Sequence, residues 1–238
     1  MEMKFSVIIP TFNEEHTIEQ SVLQWLDFQE SSEIIISDGL STDKTIEITK
    51  KLGAKIIQPN SPQKSIAEGR NLGATIAENE WLIFLDSDVR FSNISRFIEK
   101  IEERISEFDA ATIRIKIYPQ DEKLRDKIFH FLIYFSLRIL FFVGSAGGRG
   151  ECQIIKKSVF EKLGGYNKSF VGGEDYDLMR RARKQGFRVR FWHDLVGYES
   201  PRHYRKSGYL KILFLWFSNW ISTILFNRSV SQKWEKVR

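Results

Sequence analysis

The sequence predicts an α/β protein with a mixed, mainly parallel sheet that is flanked by helices. Apolar strand-like segments alternate with helical segments through the first half of the chain, and helices between buried strands are typical of βαβ units. Three of these strands are followed directly by polar residues, which parallel strands bring together at one edge of the sheet. The 238 residues, of which 42% are hydrophobic and 28% charged, suit one large domain with a substantial core.

The first half of the chain is predicted from apolar runs and helical spacing. Strands are expected at residues 5–11, 33–37, 54–58 and 81–85, and helices at about 14–28, 42–52 and 64–78. The second half is less regular. Strands are expected at residues 110–118, 151–156 and 188–193, with a helix at 175–185 that ends at Gly186 and a glycine-rich loop at 144–150 that can pass close to a ligand.

Two further stretches are unusually apolar. Residues 128–143 are interrupted by His130 and Arg138, and we interpret them as a core helix. Residues 209–226 are interrupted by Lys211 and Asn219, and their tryptophans and basic flanks favour a helix that lies in a membrane interface. Packing of 209–226 on the body or on a partner, and a full membrane span, are the alternatives, although both stretches carry more polar residues than a comfortable span.

Charge and cysteine content narrow the class of protein. The net charge is +5, and residues 202–238 hold eight Lys/Arg and one Glu, so the basic character belongs to the C-terminal segment. This distribution argues against a nucleic-acid partner and predicts contact with anionic phosphates or an anionic membrane surface. The single cysteine, Cys152, is expected to be a buried thiol, and the N-terminus lacks signal-peptide features, which predicts that the folded domain lies in the cytoplasm.

Asp86 and Asp88 follow the apolar strand 81–85. Side chains two residues apart on extended chain point the same way, so both carboxylates can converge on one point. Paired carboxylate oxygens suit Mg²⁺ or Mn²⁺ that carries a diphosphate. A polar turn after a strand is the alternative, but Asp38 and the turn at 11–13 also fall at predicted strand ends, which favours a site.

Five motifs occur in a specific order: VIIPTFNEE at 7–15, SDGLSTDKT at 37–45, GRNLGA at 69–74, LDSD at 85–88 and GGED at 172–175. Over about residues 5–201 the chain therefore resembles family 2 glycosyltransferases, which are inverting enzymes with the GT-A fold. The resemblance implies a catalytic domain at 1–205, with a nucleotide-binding half at 1–90 and an acceptor half at 91–205. Residues 206–238 would form an apolar and basic helical appendage that associates with a membrane.

The resemblance also implies roles for individual residues. Asp175 would be the general base, with Glu174 supporting the base or the acceptor, although acids at a helix start also stabilise the helix dipole. Asp88 would be the stronger metal ligand. Asp86 would bind the metal directly or through water, or would contact the ribose of the nucleotide. His193 and His203 are weaker candidates as metal ligands. The nucleotide sugar would be bound by Pro10, Thr11, Asn13, Asp38, Arg70, Asp86, Ser87, Arg202 and Arg205.

The expected activity is metal-dependent transfer of a hexose-type sugar, with inversion, from a nucleotide-diphosphate sugar. The expected acceptor is a lipid-linked or cell-surface glycan at the cytoplasmic face of the membrane. Transfer to polyprenyl phosphate is an alternative, and a sugar nucleotidyltransferase or a non-catalytic membrane module are weaker ones. The Gln-x-x-Arg-Trp motif of processive relatives is absent from the sequence, which argues against polymer synthesis.

Overall fold

The computed structural model describes residues 3–28, 30, 32–63, 65–226 and 228–231. The strands are β1 (Phe5–Thr11), β2 (Ser32–Asp38), β3 (Lys55–Ile57), β4 (Trp81–Leu85), β5 (Ala110–Ile117), β6 (Cys152–Lys156) and β7 (Val189–Glu199). The helices are α1 (Ile18–Leu23), α2 (Thr45–Lys51), α3 (Ile66–Thr75), α4 (Ile94–Glu102), α5 (Leu124–Phe142), α6 (Lys157–Lys162), α7 (Glu174–Lys184), α8 (Arg202–Ser207) and α9 (Tyr209–Phe226).

The strands of the described chain form one sheet in the order β3-β2-β1-β4-β6-β5-β7. Strands β1 to β4 pair in parallel, as do β5 and β7, whereas β6 runs antiparallel to both of its neighbours. The prediction of a mixed, mainly parallel sheet is therefore confirmed. The register pairs Thr11 with Asp38, so the ends of β1 and β2 lie side by side.

Each face of the sheet is covered by its own apolar core. One core packs Trp25 and Phe97 against the side chains of β1 and β4, and the other packs α3, α6 and α7 on the opposite face. Helix α3 approaches the sheet closely because Gly73 has no side chain: a Cβ there would lie 2.5 Å from Ile8 Cγ2. Cys152 is buried in the first core, as expected, and burial raises the pKa of its thiol.

The predicted helix boundaries were wrong where polar residues form turns. Helix α1 begins at Ile18 instead of about residue 14, and α2 begins at Thr45 instead of 42. The intervening backbone is held by side chains, since Glu14 N donates to Thr45 Oγ1 and Glu15 N donates to Asp43 Oδ2. Such bonds compete with helix formation. Strand β7 is longer than predicted and continues through a bulge to Glu199.

The interpretation of 128–143 as a core helix was wrong. Helix α5 buries only the face that carries Asp126, Phe129, His130 and Leu137. Ile133 and Phe141 are partly buried, and most of its other apolar side chains are exposed. Helix α9 packs on the body through Ile212 and Asn219 while exposing an apolar face. Within the described residues, no helix combines the length and apolar character that crossing a membrane requires. Residues 232–238 of the predicted appendage lie outside the described residues.

Candidate active site

The ends of β1 and β2 are joined by side-chain hydrogen bonds around the buried Asp38. Its Oδ1 accepts from Thr11 Oγ1 at 3.1 Å and from the hydroxyl of Ser41, while its Oδ2 accepts from Ser41 N and Gln58 Nε2, each at 2.9 Å. Asp38 is thus fixed at the sheet edge, and its contact with a nucleotide sugar stays a prediction. Sequence reasoning missed Gln58, which reaches Asp38 from the end of β3.

The turn after β1 is tied to the turn after β2 by Asn13. Its backbone has φ 55°, and its Oδ1 accepts from Thr42 N at 2.7 Å while its own N–H donates to Ser41 Oγ at 2.7 Å. Asn tolerates this left-handed conformation better than most residues. Pro10 lies partly buried just before this turn. The structure therefore places Pro10, Thr11, Asn13 and Asp38 in one contiguous region.

Asp86 and Asp88 lie beyond β4, with the buried Ser87 between them. Asp86 Oδ1 accepts from Arg70, whereas Asp88 Oδ2 lies 3.6 Å from Arg202 Nη2. Burial raises the pKa of Asp86 to about 7 despite Arg70, and raises that of Asp88 to about 6 despite Arg202. These two carboxylates therefore lie in a region where negative charge is incompletely compensated.

Arg70 connects the acid pair to the start of α7. Its Nη2 donates to Asp86 Oδ1 at 2.9 Å and to Gly150 O at 2.8 Å, and its Nη1 donates to Glu174 Oε1 at 2.9 Å. Its guanidinium also stacks over the ring of Tyr166, 5.3 Å from the centroid. Arg70 is buried, with 1% of its surface exposed, and its predicted contact with the nucleotide sugar stays a prediction.

Glu174 and Asp175 open helix α7 immediately after Gly173, whose φ of 86° suits glycine. Glu174 is buried on Arg70, whereas Asp175 is partly exposed, and its Oδ1 accepts from Tyr176 N at 2.7 Å. Burial, together with the charge of Glu174, raises the pKa of Asp175 to about 7. A carboxylate with this pKa can exchange a proton near neutral pH.

A second buried cluster, which sequence reasoning missed, adjoins these acids. Arg149 donates to Glu151, to Glu199 Oε1 at 2.7 Å and to Tyr204 Oη at 2.9 Å, and its Nη1 lies 3.1 Å from His130 Nδ1. The charge of Glu151 contributes to the raised pKa values of Asp86, Asp88 and Asp175. The available sequence signal was the pair of charges in Arg149-Gly150-Glu151, directly before an apolar strand.

Three other predicted residues occupy different surroundings. Arg205 Nη2 donates to Asp126 Oδ2 at 2.8 Å, so its guanidinium braces α8 against α5 instead of joining the acid pair. His193 is exposed at the bulge of β7, beside an Asp194 that pairs with Arg104. His203 lies on α8, partly buried, with its ring 5.8 Å from that of Tyr204.

Arg202 lies at the predicted site, beside Asp88. Its Nη2 lies 3.4 Å from Glu14 Oε2 as well as 3.6 Å from Asp88 Oδ2, so it spans the ends of β1 and β4. The side chain is 40% exposed. A partly exposed guanidinium held between two carboxylates can also pair with the oxygens of a diphosphate.

The acid pair fits a divalent cation. Asp86 and Asp88 offer hard oxygen ligands. Burial raises the pKa of both, neighbouring carboxylates add to the rise, and a bound cation would favour their charged forms. No three His, Cys, Asp or Glu side chains of the described residues come together as a complete metal cage. The other ligands would then come from substrate oxygens and water, as is usual for Mg²⁺ bound with phosphates.

Residues 6–164 match the family described as Glycosyl transferase family 2. TarS of Staphylococcus aureus, a poly(ribitol-phosphate) beta-N-acetylglucosaminyltransferase, is 37% identical over 93 residues, which cover 36% of this chain and 16% of TarS. A dolichyl N-acetyl-alpha-D-glucosaminyl phosphate 3-beta-D-2,3-diacetamido-2,3-dideoxy-beta-D-glucuronosyltransferase of Methanococcus voltae is 28% identical over 212 residues. That match covers 77% of this chain and 63% of the relative. The chain therefore spans less than two thirds of either relative.

Solved structures share the fold. S. aureus TarS 1–349 in complex with UDP-GlcNAc has a TM-score of 0.63 and 22% identity, covering 83% of this chain and 58% of that one. The mannosyltransferase PcManGT from Pyrobaculum calidifontis, in complex with GDP-Man and Mn²⁺, has a TM-score of 0.66 and 20% identity. The match covers 88% of this chain and 59% of the PcManGT chain. The similarity to these glycosyltransferases confirms the GT-A fold expected from the sequence.

Proposed function

The chain belongs to glycosyl transferase family 2, and from that premise we propose that it transfers a sugar, with inversion, from a nucleotide-diphosphate sugar to an acceptor. The observation that carries this proposal is the bridge made by Arg70 between Asp86 and Glu174. It links the acids suited to a metal and a diphosphate with the helix start that carries Asp175. A transferase of this kind needs both parts on opposite sides of the reacting carbon.

The donor would lie along the edge formed by β1, β2 and β4. Asp38 and the Asn13 turn border the place proposed for the nucleotide, and Arg202 would pair with the diphosphate. Asp88, with Asp86, would hold Mn²⁺ or Mg²⁺. A divalent cation there supplies Lewis-acid stabilisation of negative charge on a departing diphosphate. The PcManGT complex with GDP-Man and Mn²⁺ supports this proposal by analogy of fold.

Asp175 would act as the general base. The acceptor hydroxyl oxygen forms a bond to the anomeric carbon while the bond from that carbon to the diphosphate oxygen breaks, and the hydroxyl proton passes to the Asp175 carboxylate. A pKa raised to about 7 makes this carboxylate a stronger proton acceptor than an ordinary aspartate. Glu174 is held by Arg70 and would fix the start of α7, so that Asp175 keeps its orientation.

The acceptor would be a lipid-linked or cell-surface glycan, met at the cytoplasmic face of a membrane. The apolar and basic C-terminal segment supports this part of the proposal, as does similarity to a protein named for a dolichyl-linked acceptor. Polyprenyl phosphate is the alternative acceptor. Its attacking oxygen is already anionic, so a transfer to it would not require Asp175 as a base.

A donor screen tests the proposal. Thermal stabilisation and slow hydrolysis would be measured with UDP-, GDP- and dTDP-sugars, each with Mn²⁺, Mg²⁺ or a chelator. We expect one donor to bind and hydrolyse only with metal, and Asp88→Asn to abolish this while the fold remains intact. Asp27→Asn, at an exposed aspartate, is the matched control. Full metal-dependent activity of Asp88→Asn would exclude the metal assignment.

A further inference from the structure

Exposed large apolar side chains are concentrated on two neighbouring helices. Among the residues that the structure describes, all of them except Leu23 lie within 124–143 and 210–230. Folded proteins expose single apolar residues routinely, but contiguous exposed apolar surface of this kind marks a binding surface. The two helices pack together through Phe129, whose ring lies 5.4 Å from that of Tyr209 and 5.9 Å from that of Trp216.

Helix α5 contributes most of this surface. Its exposed apolar residues recur every three or four positions, the spacing that places side chains on one face of a helix. We call this face the α5 stripe; it consists of Leu124, Ile128, Phe131, Phe135, Ile139 and Phe142, which are between 47% and 92% exposed. The residues of α5 that are buried, Asp126, Phe129, His130 and Leu137, lie on the opposite face. The stripe is therefore a surface that the fold leaves uncovered.

The charges on the helices of this surface are mostly basic, although Glu122, just before α5, pairs with Lys127. Helices α5, α8 and α9 together contain seven Lys/Arg and one acid, Asp126, which is buried and paired with Arg205. Exposed Arg125 and Arg138 on α5 and exposed Lys211 on α9 flank the apolar side chains. An apolar face with a basic border is complementary to a bilayer that carries anionic headgroups. A second copy of this chain fits poorly, because self-pairing would oppose identical basic borders.

The same helices are connected to the candidate active site. Helix α9 packs on the turn before Glu174: a Cβ at Gly172 would lie 2.9 Å from Asn219 Nδ2, and one at Gly173 would lie 3.3 Å from Thr223 Oγ1. Helix α8, which precedes α9, carries Arg202 beside Asp88. A membrane bound by α5 and α9 would therefore lie against elements that also frame the acids.

We propose that the α5 stripe, together with Leu210, Phe214 and Phe217 of α9, docks this protein on an anionic lipid bilayer. The aromatic and aliphatic side chains would enter the headgroup region, and the flanking Arg and Lys would pair with lipid phosphates. Docking would also bring the candidate active site close to an acceptor held in the membrane. That role rests on the proposed glycosyltransferase function, whereas docking itself does not. The docking surface goes beyond the C-terminal segment, because it makes α5, in the middle of the chain, the larger contributor.

Vesicle co-sedimentation of the full chain tests the proposal. Vesicles would contain phosphatidylcholine alone or phosphatidylcholine with phosphatidylglycerol, in a salt series. We expect binding to the anionic vesicles that weakens as salt increases. Phe131→Gln/Phe135→Gln/Ile139→Gln should weaken this binding at least tenfold, and Arg125→Gln/Lys211→Gln severalfold. Leu23→Gln, at the exposed apolar residue outside the surface, should bind as wild type does.

Several results would overturn the docking proposal. These are wild-type protein that does not bind anionic vesicles, a triple variant that binds as tightly as wild type, and equal binding to neutral vesicles. A dimer in solution that the triple variant converts to a monomer would assign the surface to a second copy instead. Point substitutions are preferred to deletion of α9, which would also uncover the turn at Gly172. Donor hydrolysis without vesicles, measured on the same samples, separates failure of docking from failure of the proposed function.

Discussion

Arg70 Nη2 lies 2.9 Å from Asp86 Oδ1 in an ion pair whose arginine side chain is only 2% exposed. The other terminal nitrogen of the same guanidinium binds Glu174 at 2.9 Å. A planar guanidinium can hold two carboxylates in fixed directions, which a lysine ammonium cannot do equally well. One side chain of α3 thereby sets the separation between the end of β4 and the start of α7. Arg70 is in this sense a positioning residue for both halves of the site.

Replacement of Arg70 should damage stability and activity together. Arg70→Met leaves Asp86 and Glu174 without their cation, and breaking a buried pair in this way costs about 3–5 kcal/mol of unfolding free energy. Arg70→Lys should restore part of the stability but little of the transfer activity, because one ammonium does not reproduce both contacts. Urea denaturation and donor hydrolysis measure the two effects. Arg96→Met, at an exposed pair with Glu99, is the control and should unfold as wild type does.

Arg202 and Arg205 are both predicted to bind the nucleotide sugar, but their side chains have different partners in the structure. Arg202 lies beside Asp88, so Arg202→Gln should raise the KM for the donor about tenfold, the effect of losing one charged contact of roughly 1.4 kcal/mol. Arg205 is paired with Asp126, so Arg205→Gln should lower the melting temperature and leave the donor KM unchanged. Steady-state kinetics and thermal melts distinguish the two. If the donor KM rises in Arg205→Gln and stays unchanged in Arg202→Gln, Arg205 and not Arg202 binds the donor.

The raised pKa of Asp175 predicts how activity depends on pH. A base must be deprotonated to accept a proton, so kcat/KM should rise with pH to about 7 and then level. Asp175→Asn should lower kcat by about 10²- to 10⁴-fold and remove the rising part of the profile. Rates would be measured from pH 5 to 9 with a hydroxyl acceptor. Full transfer to this hydroxyl acceptor by Asp175→Asn would contradict the role of Asp175 as base.

The fold and the edge that carries the site could be predicted because the signals are local. Asp38 ends β2, and Asp86 and Asp88 come just after β4, so their approximate place follows from the strands alone. Glu174 and Asp175 required more, since their approach to Asp86 depends on Arg70, 104 residues before Glu174. The family resemblance predicted that both acids belong to the site, but neither it nor the strand pattern predicted the contact between Arg70 and Glu174.

Other features could not be predicted because they depend on distant contacts. Residues 128–143 are apolar around most of the helix, so the sequence does not distinguish a covered face from an exposed one. Arg202 and Arg205 lie on one short helix, and only their partners, Asp88 and Asp126, separate their surroundings. The partners of Arg149 include His130 and Glu199, 19 and 50 residues away. Apart from the nearby charges of Arg149 and Glu151, such a cluster has no local signature.

His130 should make the stability of the protein sensitive to acid. The side chain is 4% exposed, and burial, together with the charge of Arg149, lowers its pKa to about 3. The unfolded chain takes up this proton near pH 6.5, whereas the folded protein does not take it up until about pH 3. The stability that neutral His130 contributes is therefore fully present above pH 6.5, and it is lost progressively as the pH falls from 6.5 towards 3.

His130→Gln removes this titration while its amide oxygen can still accept a hydrogen bond from Arg149. We expect the variant to be less stable than wild type at pH 7 because of imperfect packing, and to lose less stability than wild type between pH 7 and 4.5. Melting temperatures across this range measure the difference, and comparison with wild type cancels the contribution of the other acids. His16→Gln, at a histidine whose side chain is 85% exposed, should retain the wild-type slope. Parallel pH series for wild type and His130→Gln would show that His130 does not stay neutral in the folded protein.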